Sequence, residues 1–321
     1  MTGRDAFLGQ PPQAILADPR RLRSHRRQRV VDRTVVGALG AAATLSVLVT
    51  AAILFVLGTE TVRFFRQDEV SLGEFFGSAR WSPLLGSEKH FGIWPLVCGT
   101  ALVAGIALLV AVPLGLVTAI FLSEYAPPRV RATLKPALEV LAGIPTVVYG
   151  FLALVLVTPG LRLVFDGLGS YNAISAGIAV GVLIVPIISS VSEDAMRAVP
   201  QALRDGVYGV GGTRFDAAVK VVFPAALSGI VSAVLLAAAR AIGETMIVAL
   251  AAGSTPKVTL DPTEEVQTMT GFMVQMALGD VSNFGVEYFS MYAVAAMLFA
   301  LTMGFTLLGA HVRRRFREAY E

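Results

Sequence analysis

Long runs of apolar residues recur along this chain and constrain its fold more than any other feature. Each run approaches or exceeds the roughly 20 residues that a helix needs to cross a bilayer. The runs lie at about residues 35–58, 94–122, 137–157, 173–191, 224–253 and 288–310. Because backbone N–H and C=O groups must pair internally within hydrocarbon, such runs favour helices. We predict an all-α, polytopic membrane helical bundle with about six transmembrane helices.

Composition supports a membrane protein and excludes several other classes. Hydrophobic residues make up 55% of the 321 residues and charged residues 15%, which is too apolar for a soluble domain of this length. The single cysteine, Cys98, lies in an apolar run and is expected to be a small buried hydrophobe. Because His25, His90 and His311 fall in separate connecting or terminal regions, we predict no metal site.

The basic residues predict the orientation of the chain. Residues 1–33 contain an arginine cluster, and Pro11, Pro12 and Pro19 argue against a regular fold there. The cluster consists of Arg20, Arg21, Arg23, Arg26, Arg27, Arg29 and Arg33. Both this cluster and the arginines at 313–317 place a terminus in the cytoplasm by the positive-inside rule. We interpret these basic residues as a signal of membrane topology and not as a nucleic-acid surface. The N-terminal cluster is also expected to contact anionic lipid.

The connecting segments alternate between the two sides of the membrane. Segments 59–91 and 254–287 are predicted to be external, and 264–278 to form a short interfacial helix. Segment 159–171 also turns outside, whereas the basic segments 123–136 and 192–222 are internal. No short apolar core followed by a cleavage site is visible, so we expect insertion through the first helix.

The internal segment 192–222 carries the most informative spacing. Asp205-Gly206-Val207 is followed by Gly211 and then by Val221, Phe223 and Pro224. A polar helix, a glycine break and a second amphipathic helix would form a helix–turn–helix that docks a partner. An ordinary cytoplasmic loop is the alternative.

This spacing resembles the coupling motif of ABC importer permeases. That motif has Glu-Ala-Ala, three residues, Gly, nine residues, then Ile, one residue and Leu-Pro. Here Asp205 replaces Glu, Gly206 and Val207 replace the alanines, and Phe223 replaces Leu, while Gly211 and Pro224 match. The resemblance implies a type I permease fold whose coupling loop docks on a separate ATPase.

Three further stretches are similar to the phosphate-specific permeases of the PstC type. They are residues 122–127 (LSEYAP), 143–150 (GIPTVVYG) and 240–246 (RAIGETM). The resemblance implies an importer of inorganic phosphate, working with a PstA-type permease, a PstB-type ATPase dimer and a PstS-type binding protein. It also implies that this chain is no enzyme and binds no cofactor, since the partner ATPase uses ATP.

The resemblance divides the chain into regions. Residues 1–33 form the basic tail, 34–91 the first helix and an external loop, 92–315 the permease domain with coupling loop 192–222, and 316–321 a C-terminal tail.

Arg240 and Glu244 are the chemically distinctive residues of the fifth run. Four residues apart, they are predicted to share one helix face. An arginine at the centre of a membrane helix costs about 2.5–3.5 kcal/mol, so it should face the bundle interior or a wet cavity. The pair would neutralise itself when empty. An arriving oxyanion would accept two N–H bonds from Arg240, and Glu244 would accept from a protonated phosphate oxygen. An ion pair that fixes helix packing is the alternative.

Other residues are weaker candidates for the pathway. Thr146 and Thr245 would offer hydroxyls to the anion or bond their own helix backbone. The break at Gly143 and Pro145, together with Tyr149, would widen the pathway or act as a hinge, and Pro186 would kink the fourth helix. Plain packing kinks remain the alternative.

Absent motifs narrow the function further. The sequence has no phosphate-binding loop of the ATPase type and no Ser-His-Asp constellation. Hydrolysis of ATP is therefore assigned to another chain. Three readings compete with phosphate import: import of another oxyanion such as sulfate or molybdate, an ion-coupled carrier, and a membrane-embedded enzyme.

Overall fold

The computed structural model describes residues 19–83, 89–279 and 285–317, which are almost entirely helical. The helices are α1 (Pro19–Phe65), α2 (Leu72–Gly77), α3 (Trp94–Ile120), α4 (Pro128–Ala142), α5 (Thr146–Leu152), α6 (Thr158–Leu161), α7 (Ala173–Arg197), α8 (Gln201–Gly209), α9 (Arg214–Asp216), α10 (Phe223–Ala225), α11 (Leu227–Ile242), α12 (Met246–Ala251), α13 (Met269–Leu278) and α14 (Val286–Arg317). Strands β1 (Trp81–Ser82) and β2 (His90–Phe91) pair antiparallel. Three π-helical segments extend or join helices: Phe121–Tyr125, Ala153–Val157 and Ala217–Val222.

The chain divides into two compact units, residues 1–58 and 59–321. The described part of the first unit is helix α1, whose apolar side chains, among them Val47 and Phe55, are exposed. The prediction of an irregular basic tail is wrong for residues 19–33, because α1 begins at Pro19. Proline is favoured at the first position of a helix, where its missing N–H would have no helical partner. The predictions for residues 1–18 lie outside the described residues.

Four described helices are long and apolar enough to cross a membrane alone, and two bent pairs raise the number to six. The four are residues 31–65, 94–125, 173–197 and 286–311, each longer than its predicted run. Residues 128–142 and 146–161 form one pair with a bend of 86°, and residues 214–225 and 227–242 form the other with a bend of 70°. The prediction of about six spans is confirmed if each bent pair counts as one.

The break before α5 is sharper than the predicted kink, and the segment before it is not a loop. Helix α4 begins at Pro128, so most of the predicted inner loop 123–136 is helical. Gly143 and Pro145 then end the helix, because the residue before a proline is disfavoured in the helical region. After the break the helix continues to Leu161 and includes Pro159, which was predicted to begin an external turn.

Helices α3 and α7 form the centre of the second unit and approach closely through glycines. A Cβ at Gly177 would lie 2.6 Å from the side chain of Ile106, and one at Gly181 would lie 3.0 Å from the carbonyl oxygen of Ala107. Lipid tails are as apolar as these side chains, so membrane helices associate through close van der Waals packing at small residues.

An aromatic cluster covers the external end. The rings of Trp81 and Phe272 lie 4.9 Å apart, and those of Phe64 and Phe91 lie 5.3 Å apart. Helix α13 carries Phe272 into this cluster, and it begins at Met269, so the start predicted for the helix over 264–278 is wrong. Its interfacial placement stays a prediction. The helix is apolar on almost every side, which is typical of buried helices.

The close α3–α7 contact predicts the effect of enlarging Gly177. Gly177→Val should lower the free energy of unfolding by about 1–3 kcal/mol, because the added methyl groups force Ile106 away. Thermal unfolding of the purified protein measures this loss. Gly105→Val is the matched control, since a Cβ at Gly105 meets nothing within 4 Å. Equal melting temperatures for the two variants would contradict the packing described.

Candidate functional site

The predicted fifth span, residues 224–253, is broken twice. The chain changes direction at Ala226, and α11 then ends at Ile242. Residues 243–245 are not helical, and α12 begins at Met246. The expectation that Arg240 and Glu244 share the face of one helix is therefore wrong. Glycine at 243 lowers the cost of the break, because glycine is among the least favourable residues in a helix interior.

Glu244 lies in the break and its carboxylate caps the next helix. Its Oε1 accepts hydrogen bonds from the backbone N–H of Met246 at 3.1 Å and of Ile247 at 3.4 Å. The first N–H groups of a helix have no intrahelical partner, and the helix dipole favours negative charge there. The adjacent hydroxyl of Thr245 donates to the carbonyl of Gly243 at 3.3 Å. The break thus places a buried acid, only 2% exposed, among apolar helices.

Arg240 pairs with this acid from the last turn of α11. Its Nη1 lies 3.1 Å from Oε2 of Glu244, and the arginine side chain is 43% exposed. The angles are unsuitable for a hydrogen bond, and Oε2 has no hydrogen-bond partner among the described residues. The nearby guanidinium therefore balances the charge of the carboxylate, while Oε2 can still accept a hydrogen bond.

A second layer of hydroxyls fixes the break, and sequence reasoning missed it. Thr270 Oγ1 donates to the backbone carbonyl of Glu244 at 2.6 Å. Thr100 Oγ1, on α3, accepts from the N–H of Met269 at 3.0 Å at the start of α13. Residues 269–278 carry no charged side chain, and this absence of charge is the sequence signal that predicts a buried helix here.

Tyr149 and Thr146 lie on α5, beyond the break at Gly143 and Pro145. The hydroxyl of Tyr149 donates at 2.7 Å to the carbonyl of Leu141 in the last turn of α4, and this carbonyl also accepts from the N–H of Ile144 at 3.3 Å. Thr146 begins α5 and is half-buried.

Helix α5 packs directly on α12. A Cβ at Gly150 would lie 3.1 Å from the Cα of Ile247, so only glycine allows this approach. Tyr149 and Ile247 belong to one buried apolar cluster, which also contains Ile242. The structure therefore brings the two helix breaks, at 143–145 and 243–245, to the same cluster. Pro186 lies within α7, which stays helical through it.

The coupling segment has the predicted helix–turn–helix geometry. Helix α8 ends at Gly209, and Gly211 adopts a φ of +84°, a conformation that side chains with a Cβ rarely take. Thr213 and Asp216 then form a reciprocal cap at the start of α9.

The residues of the coupling motif differ in exposure. Asp205, Gly206, Gly211 and Pro224 are exposed, and Val207 is half-buried. Around them lie large apolar side chains that stay partly or largely exposed: Leu203 (40% exposed), Val210 (87%) and Phe215 (63%). They leave apolar surface on the coupling segment.

Arg204 anchors this segment to the rest of the protein, and sequence reasoning missed this role. Its Nε and Nη2 donate to the two carboxylate oxygens of Glu124 at 3.1 and 2.8 Å. Nη1 and Nη2 also donate to the carbonyls of Val199 and Met196. The hydrogen bonds that Arg204 donates to Glu124 raise the pKa of its guanidinium, so it stays charged although it is buried. Two-point binding of this kind fixes orientation as well as distance.

In the described part of the chain, no group of three or more His, Cys, Asp and Glu side chains is arranged to hold a metal ion.

Comparisons with known proteins show which family and fold this chain is similar to. The family model described as "Binding-protein-dependent transport system inner membrane component" matches residues 111–318. A relative from Bacillus subtilis, named as the probable ABC transporter permease protein YqgH, is 34% identical over 300 residues, covering 92% of this chain and 95% of its own. The phosphate transport system permease protein PstC of Mesorhizobium japonicum is 31% identical over 276 residues, covering 78% and 82%.

The fold also matches a solved importer. A bacterial alginate ABC transporter, solved in complex with a periplasmic protein that carries an alginate pentasaccharide, superposes with a TM-score of 0.61 at 14% identity. The match covers 86% of this chain and 94% of that one. At this identity the likeness concerns the fold, and the predicted ABC importer permease fold is confirmed. The chain belongs to the family of binding-protein-dependent transport system inner membrane components, and is a multi-pass transport subunit and not an enzyme.

Proposed function

We propose that this chain is the PstC-type permease subunit of an ATP-driven importer that carries inorganic phosphate across the cell membrane. The similarity to PstC of Mesorhizobium japonicum supports the substrate. The observation that carries the proposal is the buried carboxylate of Glu244 beside the half-exposed guanidinium of Arg240. Ionisable groups within membrane segments are costly and mark substrate pathways.

The chemistry of the pair suits an anion that still carries a proton. The exposed guanidinium of Arg240 offers parallel N–H donors to two oxygens of a tetrahedral anion. Oε2 of Glu244, which has no donor among the described residues, accepts a hydrogen bond from the protonated oxygen of phosphate. Sulfate is fully ionised at neutral pH and has no such donor, so the carboxylate repels it. Thr245 and Thr146 are the hydroxyls next to the two breaks that would supplement this contact.

The power for transport comes from other chains in this proposal. A PstB-type ATPase dimer hydrolyses ATP and docks on the exposed apolar residues around Gly211. A PstA-type permease completes the pathway, and a PstS-type binding protein delivers the anion outside. The alginate importer solved with its periplasmic protein supports that arrangement by analogy of fold. Gly143, Pro145 and Pro186 are the positions at which helices would bend between inward-open and outward-open states.

The proposed role of the Arg240–Glu244 ion pair predicts that two charge-removing variants take up less phosphate. Arg240→Gln and Glu244→Gln should each lower the uptake of labelled phosphate about tenfold or more, the scale of a hydrogen bond to a charged group. Because glutamine keeps an oxygen that can accept from Met246 N–H, the cap of α12 survives in Glu244→Gln. Uptake is measured in cells that lack their own importer.

Arg63→Gln is the control for this experiment. It removes the external ion pair between Arg63 and Glu60, in which the arginine side chain is 65% exposed. Uptake should stay unchanged. Wild-type uptake by Arg240→Gln would exclude the proposed site. An excess of unlabelled sulfate or molybdate that blocks uptake as well as phosphate does would favour the wider oxyanion alternative.

The left-handed backbone of Gly211 predicts a coupling defect. Gly211→Val should reduce the phosphate-stimulated ATPase activity of the assembled complex several-fold, because a β-branched residue cannot adopt a φ of +84° without strain. Gly209→Ala is the matched control, since Gly209 is helical and a Cβ there meets nothing within 4 Å. Full uptake by Gly211→Val would instead favour a carrier that needs no ATPase.

A further inference from the structure

A cavity of about 410 Å³ opens at the basic end of the second unit, between the π-helical segment 121–125 and α4. Its walls include Ser123, Arg131, Ala132, Lys135, Glu139 and Arg197. Three cations therefore face one carboxylate. None of the coupling-motif residues and none of the proposed pathway residues line this cavity.

Two acids outside the wall hold the cations in place. Glu193 is fully buried and lies 2.7 Å from both Arg131 Nη2 and Lys135 Nζ. Asp194 lies 2.6 Å from Lys135 Nζ. Neither acid lines the cavity, so the wall itself presents three cations and one carboxylate, and the two acids behind it balance the charge of the cations.

The guanidinium groups keep unused donors. Nε of Arg131 is buried and has no acceptor among the described residues. Arg197 is 48% exposed, and its Nε lies 3.8 Å from Glu193, too far for a hydrogen bond. The exposed guanidinium of Arg197 is therefore the donor that acceptor oxygens inside the cavity can reach.

The position of α4 indicates where such oxygens come from. Helix α4 is bent by 86° from residues 146–161, so if those residues cross the membrane, α4 runs close to parallel with its inner surface. None of its residues is buried, and it carries two of the cations of the cavity wall, Arg131 and Lys135. Basic amphipathic helices in this orientation lie against anionic phospholipids.

We propose that this cavity binds the phosphate group of an anionic ligand at the cytoplasmic face, supplied by an anionic phospholipid headgroup or by free inorganic phosphate. Arg197 donates to its oxygens, and Arg131 and Lys135 contribute charge. The site is separate from Arg240 and Glu244, and it does not depend on which anion is transported.

Binding to the purified full-length permease complex in detergent tests the proposal. Three arms use phosphatidylglycerol and phosphatidylcholine, followed as adducts by native mass spectrometry, and labelled inorganic phosphate, followed by equilibrium dialysis. We expect one saturable anionic ligand per chain and no equivalent phosphatidylcholine adduct. Arg197→Gln should weaken binding about tenfold, as expected for a hydrogen bond to a charged group. Ala132→Trp, which fills the cavity and keeps every charge, should weaken it as well.

Arg129→Gln is the matched control, because Arg129 is an exposed cation of the same helix outside the cavity wall. It should bind like the wild type. Loss confined to phosphatidylglycerol identifies the lipid headgroup as the source, and loss confined to inorganic phosphate identifies the free anion. Unchanged binding of both in Arg197→Gln, or an equal loss in Arg129→Gln, would overturn the site. Arg197→Gln leaves Glu193 its bonds to Arg131 and Lys135, so the test does not depend on the bulkier variant folding.

Discussion

Backbone groups left over where helices break inside the bundle must find partners within the protein, and this need determines where the polar side chains lie. Water is absent from the hydrocarbon region, and each unpaired group there costs several kcal/mol. Glu244 meets the need at the start of α12, Tyr149 at the end of α4 and Thr100 at the start of α13. In the proposed function, the residue that caps the break at 243–245 is therefore also the acid offered to phosphate.

At the basic end of the second unit, buried charged side chains also need partners within the protein. Glu124 receives two hydrogen bonds from Arg204, which joins the coupling segment to the end of α3, while Glu193 joins α4 to α7. Removing one partner of a buried ion pair leaves the other charge uncompensated and is strongly destabilising. The intact pair adds little net stability, because its attraction is offset by the cost of desolvation.

The number of spans and the sharing of charge between Arg240 and Glu244 could be predicted from sequence, because hydropathy and a four-residue spacing are local signals. Helix ends could not, because α1 and α7 continue past the hydrocarbon into charged residues such as Arg197. The break at Gly243 escaped prediction because one glycine costs a helix only about 1 kcal/mol and rarely decides its end. Arg204 and Glu124 are 80 residues apart, so their pairing has no local signature at all.

The central claim is that the non-helical residues 243–245 lie on the path of phosphate. Thiol labelling measures this most directly, with Thr245→Cys introduced into a Cys98→Ser background so that the new thiol is the only one in the chain. In membranes containing the assembled importer, a water-soluble thiol reagent should react at this position, and phosphate should slow the reaction while sulfate should not. A thiol that never reacts, or that reacts at a rate phosphate does not change, would contradict the claim.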